Sequence, residues 1–209
     1  MSASQPEVRV LSAAEARVVP WKNGRGTTRE LALWPPAASF ERGDYAWRLS
    51  AAEVAAGGPF SAFAGFERIL TVTKGDGLLL EHGADAPRAR LRRFEPYRFS
   101  GDWTTSAELV GGAVTDFNVI FRRGRVRAEV QALALAARTL RETLSGPHVF
   151  VHVLAGACTA RVTGEEDANE LAAGDSLWLI ERRAGEELVL TGSGRASEVL
   201  IVTLGPAGA

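Results

Sequence analysis

Cysteine, histidine and methionine are scarce in this 209-residue chain, which has one Cys, three His and one Met. A single thiol, Cys158, rules out an internal disulfide, and a chain of this length can bury enough surface without one. The expected compartment is the reducing cytoplasm. So few soft donors are also a poor supply of metal ligands. There is no excess of one charge: 24 Lys plus Arg face 25 Asp plus Glu, a formal charge of -1. That balance excludes a broad electrostatic surface for nucleic acid or anionic membrane, although a small basic pocket fits within it. No stretch approaches the ~18 consecutive apolar residues of a spanning helix. The opening MSASQPEVRVLS lacks the basic-then-apolar order of a signal peptide, so a soluble, unprocessed protein is expected.

Glycine, in contrast, is plentiful, with 22 residues set between short runs rich in β-branched and aromatic side chains. This is the punctuation of a sheet protein. Ile69 to Thr73 runs into Lys74-Gly75-Asp76-Gly77 and out through Leu78 to Leu80, and reads as a hairpin. Val149 to Leu154, Ala155-Gly156-Ala157 and Thr159 to Thr163 repeat the pattern. Downstream of each hairpin a Gly-Asp pair precedes an aromatic residue, at Gly101-Asp102-Trp103 and at Gly174-Asp175 before Trp178. These parallels predict one β module used twice, over residues 1–123 and 124–209. Arg125 to Ala132 alternates like a half-buried strand. Short helices are expected at 13–17, 51–56 and 133–143. Pro35 to Gly43 and Gly83 to Arg93 read as loops, and Arg88, Arg90, Arg92 and Arg93 as a solvated edge strand kept from aggregating by charge.

The chemistry concentrates in the first half. In Val19-Pro20-Trp21-Lys22-Asn23-Gly24-Arg25-Gly26-Thr27-Thr28-Arg29-Glu30, a tight turn at Asn23-Gly24 presents Trp21, Lys22, Thr27, Thr28, Arg29 and Glu30. The bland alternative is a structural hairpin with a polar tip. Strand alternation sends Trp47 and Leu49 to one face and Arg48 and Ser50 to the other. Arg68 opens an apolar strand and shares a face with Leu70 and Val72. An inward guanidinium needs a carboxylate, supplied either by a ligand or by Glu67, Glu30 or Asp116. Asp116-Phe117-Asn118 adds an acid and an amide, and Phe60, Ser61 and Phe63 follow Gly58-Pro59. Acid–base candidates are Glu30, Asp116 and His82, the last in a glycine loop where an exposed, unengaged residue is the plainer reading. His148 and His152 lie on a strand-like run that holds their Cα atoms ~13 Å apart, too far to share one metal. Cys158 has no histidine beside it in sequence, and no Gly-x-Ser-x-Gly elbow occurs, so a buried inert thiol is expected.

These segments resemble the HutD/Ves family of cupin-like bacterial proteins, associated with histidine utilisation. The resemblance is carried by Pro20 to Leu31, Trp47-Arg48-Leu49-Ser50, Gly58 to Phe63 through Arg68, Gly75-Asp76-Gly77, and Asp116-Phe117-Asn118 leading into Arg122-Arg123. It implies an all-β, duplicated cupin (bicupin) of double-stranded β-barrels with a few short helices and a pocket in the first module. Metal-binding cupins place histidines and a glutamate before the glycine turn. Under this resemblance Arg68 falls at the glutamate, Ser61 to Ala64 at the first histidines and Thr104 near the last. The expectation is therefore no metal and no cofactor. The expected partner is a small anionic metabolite, a histidine-degradation intermediate such as urocanate or formylglutamate, and not nucleic acid or membrane. It would be held by Trp21, Lys22, Asn23, Arg29, Trp47, Arg48, Ser50, Phe60, Ser61, Phe63, Arg68 and Asn118 in a sensing or regulatory protein, with a homodimer possible. A metal-independent isomerase or hydrolase is the alternative.

Overall fold

The computed structural model describes residues 6–21, 26–84 and 86–208. Every regular element among them is a β-strand. The chain divides into two compact units, 17–126 and 127–209 together with 1–16, so the first strand, β1 (Glu7–Leu11), belongs with the later unit.

In the 17–126 unit, β2 (Arg17–Pro20), β3 (Gly26–Trp34), β4 (Trp47–Val54), β6 (Phe66–Lys74), β9 (Tyr97–Ser100) and β11 (Val114–Arg122) form a sheet in the order β2-β3-β4-β11-β6-β9. A smaller sheet runs β5 (Gly58–Pro59), β10 (Ser106–Leu109), β7 (Leu78–Glu81), β8 (Ala89–Leu91). Leu70, Val72 and Val114 from the larger sheet pack with Leu78, Leu80, Leu91 and Ala107 from the smaller to make the core. The 127–209 unit also has two sheets. One runs β1, β17 (Ser176–Ile180), β14 (His148–Ala155), β19 (Glu198–Pro206), β12 (Val126–Ala134); the other runs β13 (Thr139–Thr143), β18 (Glu187–Gly192), β15 (Ala157–Val162), β16 (Asn169–Ala172). Its hydrophobic core includes Val149, Val151, Val153, Leu177, Leu190 and Ile201.

Several sequence expectations change here. The expected barrels are pairs of separate sheets, not closed barrels. The expected helices do not form: 13–15 is a turn, 51–54 lies in β4, and 133–143 is split between β12 and β13 around Ala136 at φ 51. The glycine turns are not hairpins either, since β6 and β7 lie in different sheets, as do β14 and β15. Gly75 and Gly77, at φ 94 and 129, turn the chain from one sheet into the other. A Cβ at Gly77 would collide with the Leu91 carbonyl oxygen, so only glycine permits that approach. The edge strand β8 carries Arg90, with Arg88, Arg92 and Arg93 on the segments flanking it, and Arg88 pairs with Glu81.

Candidate functional site

Cross-strand register gathers the polar residues of distant segments on one face of the larger sheet. Asp116, Asn118 and Ile120 on β11 stand opposite Ala52, Ser50 and Arg48 on β4. On the other side of β11 they stand opposite Val72, Leu70 and Arg68 on β6. Because side chains alternate along a strand, all nine share a face. β3 extends it, with Glu30 opposite Ser50 and Thr28 opposite Ala52. A bulge between Glu30 and Ala32 then shifts the phase, so that Leu33 stands opposite Arg48. This face, the Pro36 to Glu41 loop and the Pro59 to Phe63 segment enclose a cavity of about 730 Å³.

Arg48 is occupied by protein. Its Nε donates to Glu30 Oε2 at 2.7 Å, an Nη atom reaches Ser50 Oγ at 3.4 Å, and its guanidinium lies 4.3 Å from the Phe40 ring centroid. Arg68 is not occupied in this way. It is only 4% exposed, one Nη donates to the Ser61 carbonyl at 3.3 Å, and its buried Nε has no hydrogen-bond partner. Phe60, Phe63 and Phe99 surround the guanidinium at 5.1, 5.3 and 5.0 Å, an aromatic cage that holds a cation without neutralising it. Burial brings this group down to about 10, opposed by the charge of Asp116, so it remains a cation at neutral pH. Glu67 is engaged elsewhere, by Arg98 and Arg123.

Asp116 is 3% exposed, and no ion pair or hydrogen bond reaches its carboxyl among the described residues. Burial pushes this carboxyl up to about 7, against the pull of Arg68. Asn118 Oδ1 is likewise buried without a partner. The site therefore combines a caged cation, an unengaged acid and an unengaged amide oxygen in one cavity. It can hold an anion at Arg68 and exchange a proton at Asp116.

Of the residues named from sequence, Trp21, Glu30, Arg48, Ser50, Phe60, Ser61, Phe63, Arg68, Asp116 and Asn118 line the cavity. Trp21 is oriented by its Nε1, which donates to Thr28 Oγ1 at 2.7 Å. Lys22 and Asn23 lie outside the described residues. Two expectations are corrected by strand alternation. Trp47 sits on the opposite face from Arg48 and stacks with Trp34 at 6.4 Å, and Arg29 lies on the opposite face of β3 from Thr28 and Glu30. His82 is neither an exposed loop residue nor a cavity residue. It is 2% exposed among Tyr97, Phe99 and Trp103, and its Nδ1 lies 3.0 Å from Thr105 Oγ1. Burial, and secondarily the Arg68 charge, lowers its pKa. Arg17 and Phe40 also line the cavity and were not anticipated. Arg17 falls in a stretch read as helix, and Phe40 in one read as loop, where a lone aromatic among Pro, Ala and Ser was the available signal.

Outside the cavity, Cys158 is a free buried thiol, pushed up by burial to about 11. His148 and His152 are both buried on β14, and His152 Nδ1 lies 2.8 Å from Ser176 Oγ. No three His, Cys, Asp or Glu side chains gather as a metal site among the described residues. No helix among them is long and apolar enough to cross a membrane.

Residues 13–197 match the HutD family model. A 21.2 kDa protein from the hutC 3' region of Pseudomonas putida is 42% identical over 127 residues, 60% of this chain and 64% of the relative. The chain thus spans just under two thirds of that relative. Protein Ves of Citrobacter koseri is 38% identical over 138 residues, covering 66% of this chain and 68% of Ves. The solved structure of HutD from Pseudomonas fluorescens SBW25, obtained in a formate condition, superposes with a TM-score of 0.77 at 29% identity, over 97% of this chain and 100% of that one. At 13% identity, GK1651 of Geobacillus kaustophilus shares the fold alone, with a TM-score of 0.67 over 98% of each chain. With the family model covering most of its length, this chain belongs to the HutD family.

Proposed function

We propose that the 17–126 unit binds a small carboxylate metabolite in its cavity, without a metal, and that the protein serves a sensing or regulatory role in histidine utilisation. The observation that carries this reading is Arg68, a buried guanidinium in an aromatic cage whose Nε lacks a protein partner. A planar fork of N–H donors matches a carboxylate, and a buried cation without a counter-ion is costly unless a ligand supplies one. The link to histidine breakdown comes from the hutC-region relative and from HutD itself, and it makes urocanate and formylglutamate the ligands of choice.

The two units support a bicupin reading. The strand orders β9-β6-β11-β4 and β17-β14-β19-β12 follow one scheme, as do β5-β10-β7-β8 and β13-β18-β15-β16. We infer that one eight-stranded module was used twice and that the carboxylate site belongs to the first copy. Counting back equally from the turn glycines Gly75 and Gly156, Arg68 corresponds to Val149. The cytoplasm is the proposed location and a homodimer the proposed assembly.

Calorimetric titration with urocanate and formylglutamate tests the main reading. Binding by wild-type protein that is lost in Arg68→Met protein of unchanged thermal stability is the expected result. No heat and no thermal shift at millimolar ligand sinks it. Asp116 favours one second reading, a metal-independent isomerase or hydrolase, because a cavity carboxyl held near neutrality suits acid–base work. Turnover of either metabolite that disappears in Asp116→Asn protein would establish that alternative.

A further inference from the structure

Six titratable side chains line the cavity. Arg17 comes from β2, Glu30 from β3, Glu41 from the loop before β4, Arg48 from β4, Arg68 from β6 and Asp116 from β11. The segment Pro59 to Phe63, which also lines the cavity, contributes none. Lys22, next to Trp21 in sequence, is outside the described residues. Arg48 is already matched by Glu30 at 2.7 Å. Arg68 is the one charge that acts appreciably on Asp116. Among the described residues, the buried lining groups left without a protein counter-charge are the Arg68 guanidinium and the Asp116 carboxyl, on adjacent strands and on the same face, with Asp116 opposite Val72, four residues along β6 from Arg68.

A carboxylate ligand seated on Arg68 upsets this balance. Two carboxylates would then share one buried guanidinium. Like charges so confined do not both stay ionised, and the usual resolution is a shared proton. Asp116 is suited to take it, because no N–H of the described chain holds its carboxyl in the ionised form. A buried aspartate kept ionised for structural reasons is normally fixed by two or three such donors.

We propose that Asp116 contacts the ligand in its protonated form: when a carboxylate binds at Arg68, one proton passes from solvent to Asp116, and the new carboxylic acid donates a hydrogen bond to the bound anion. This rests on the reading of the cavity as a carboxylate site. Asp116 is thus a specificity-determining residue, which favours an anion able to accept an O–H hydrogen bond over a neutral amide of the same shape. The empty cavity already holds Asp116 near neutrality, at about 7, so the added negative charge of the ligand is enough to move the proton.

Titration calorimetry of the full chain with formylglutamate, in two buffers of different ionisation enthalpy, counts the protons directly. Above about pH 7, uptake approaching one proton per ligand is expected, with affinity weakening up to about tenfold per pH unit. Asp116→Asn protein should bind with no proton uptake and with affinity independent of pH. Binding by the wild type without proton uptake overturns the proposal and leaves the carboxylate site intact. An unchanged pH slope in Asp116→Asn protein also overturns it. Absence of any binding at about pH 6, where the linkage is most favourable, removes the carboxylate site and this proposal with it. If Asp116→Asn protein does not fold, the wild-type proton count decides alone.

Discussion

Arg48 and Arg68 are the same residue type, both buried on one face of one sheet, yet their surroundings give them different tasks. Arg48 meets Glu30, while Arg68 meets three aromatic rings and a single carbonyl. Replacing Arg68 by Met fills the cage with apolar volume and removes the anion's partner. Carboxylate affinity should fall by at least about 30-fold, the equivalent of ~2 kcal/mol or more, with little loss of stability by urea titration. Arg48→Met should do the reverse, leaving Glu30 unpaired. Glu30 is 34% exposed, so water offsets part of that loss and about 1–3 kcal/mol of stability is expected to go. Alternation in the sequence put Arg48 and Ser50 on one face, opposite to Trp47 and Leu49. It did not show which arginine Glu30 would take, because that choice depends on the β3–β4 register.

At the level of elements, β4 shows how tertiary pairing overrides local preference. Ala51-Ala52-Glu53-Val54 has good helix formers, yet β4 is paired along both edges, by β3 and by β11. Those hydrogen bonds and the burial of Ala52 and Val54 outweigh the few tenths of a kcal/mol per residue that propensity offers. The close approach of β3 to β4 depends on Gly26, where a Cβ would land on the Glu53 carbonyl oxygen with Trp21 close behind. Gly26→Ala should cost about 1–3 kcal/mol and weaken ligand binding, since the same shift displaces Trp21 from the cavity wall. Chemical denaturation and calorimetry of the variant check both effects.

For the molecule as a whole, two buried groups give stability opposite pH dependences. His148 in the 127–209 unit is held down to about 4 by burial, and Glu181, 3.9 Å away, does not restore its charge. The unfolded chain protonates this histidine below about 6.5 while the folded chain does not, so its contribution is present above that pH and lost as pH falls towards 4. His148→Asn protein should lack this acid-induced loss, which is on the order of 3 kcal/mol. Asp116 has the reverse sign: raised to about 7, it stays protonated when the unfolded chain ionises, so stability falls as pH rises from about 4 to 7. Asp116→Asn protein should gain on the wild type across that window, read as the pH dependence of Tm. The crossing of β1 to the later unit has its own consequence. β1 pairs along β17, and the Ala13 amide donates to Asp175 Oδ1 at 2.8 Å. Removing residues 1–13 should therefore raise hydrogen exchange in Ser176–Ile180 and not in Val114–Arg122.

Residue types, turn glycines and two-residue alternation were enough to indicate an all-β chain, a face shared by Arg48 and Ser50, and a buried thiol at Cys158, because these depend on local chemistry and strand period. The long-range geometry was not legible there. Register set the partner of Arg48, the β3 bulge put Leu33 on the cavity face, and the crossing of β6 into β7 turned an apparent hairpin into a link between sheets. Each depends on where another strand lies. That position is set by packing between segments far apart in the chain, and no local pattern records it.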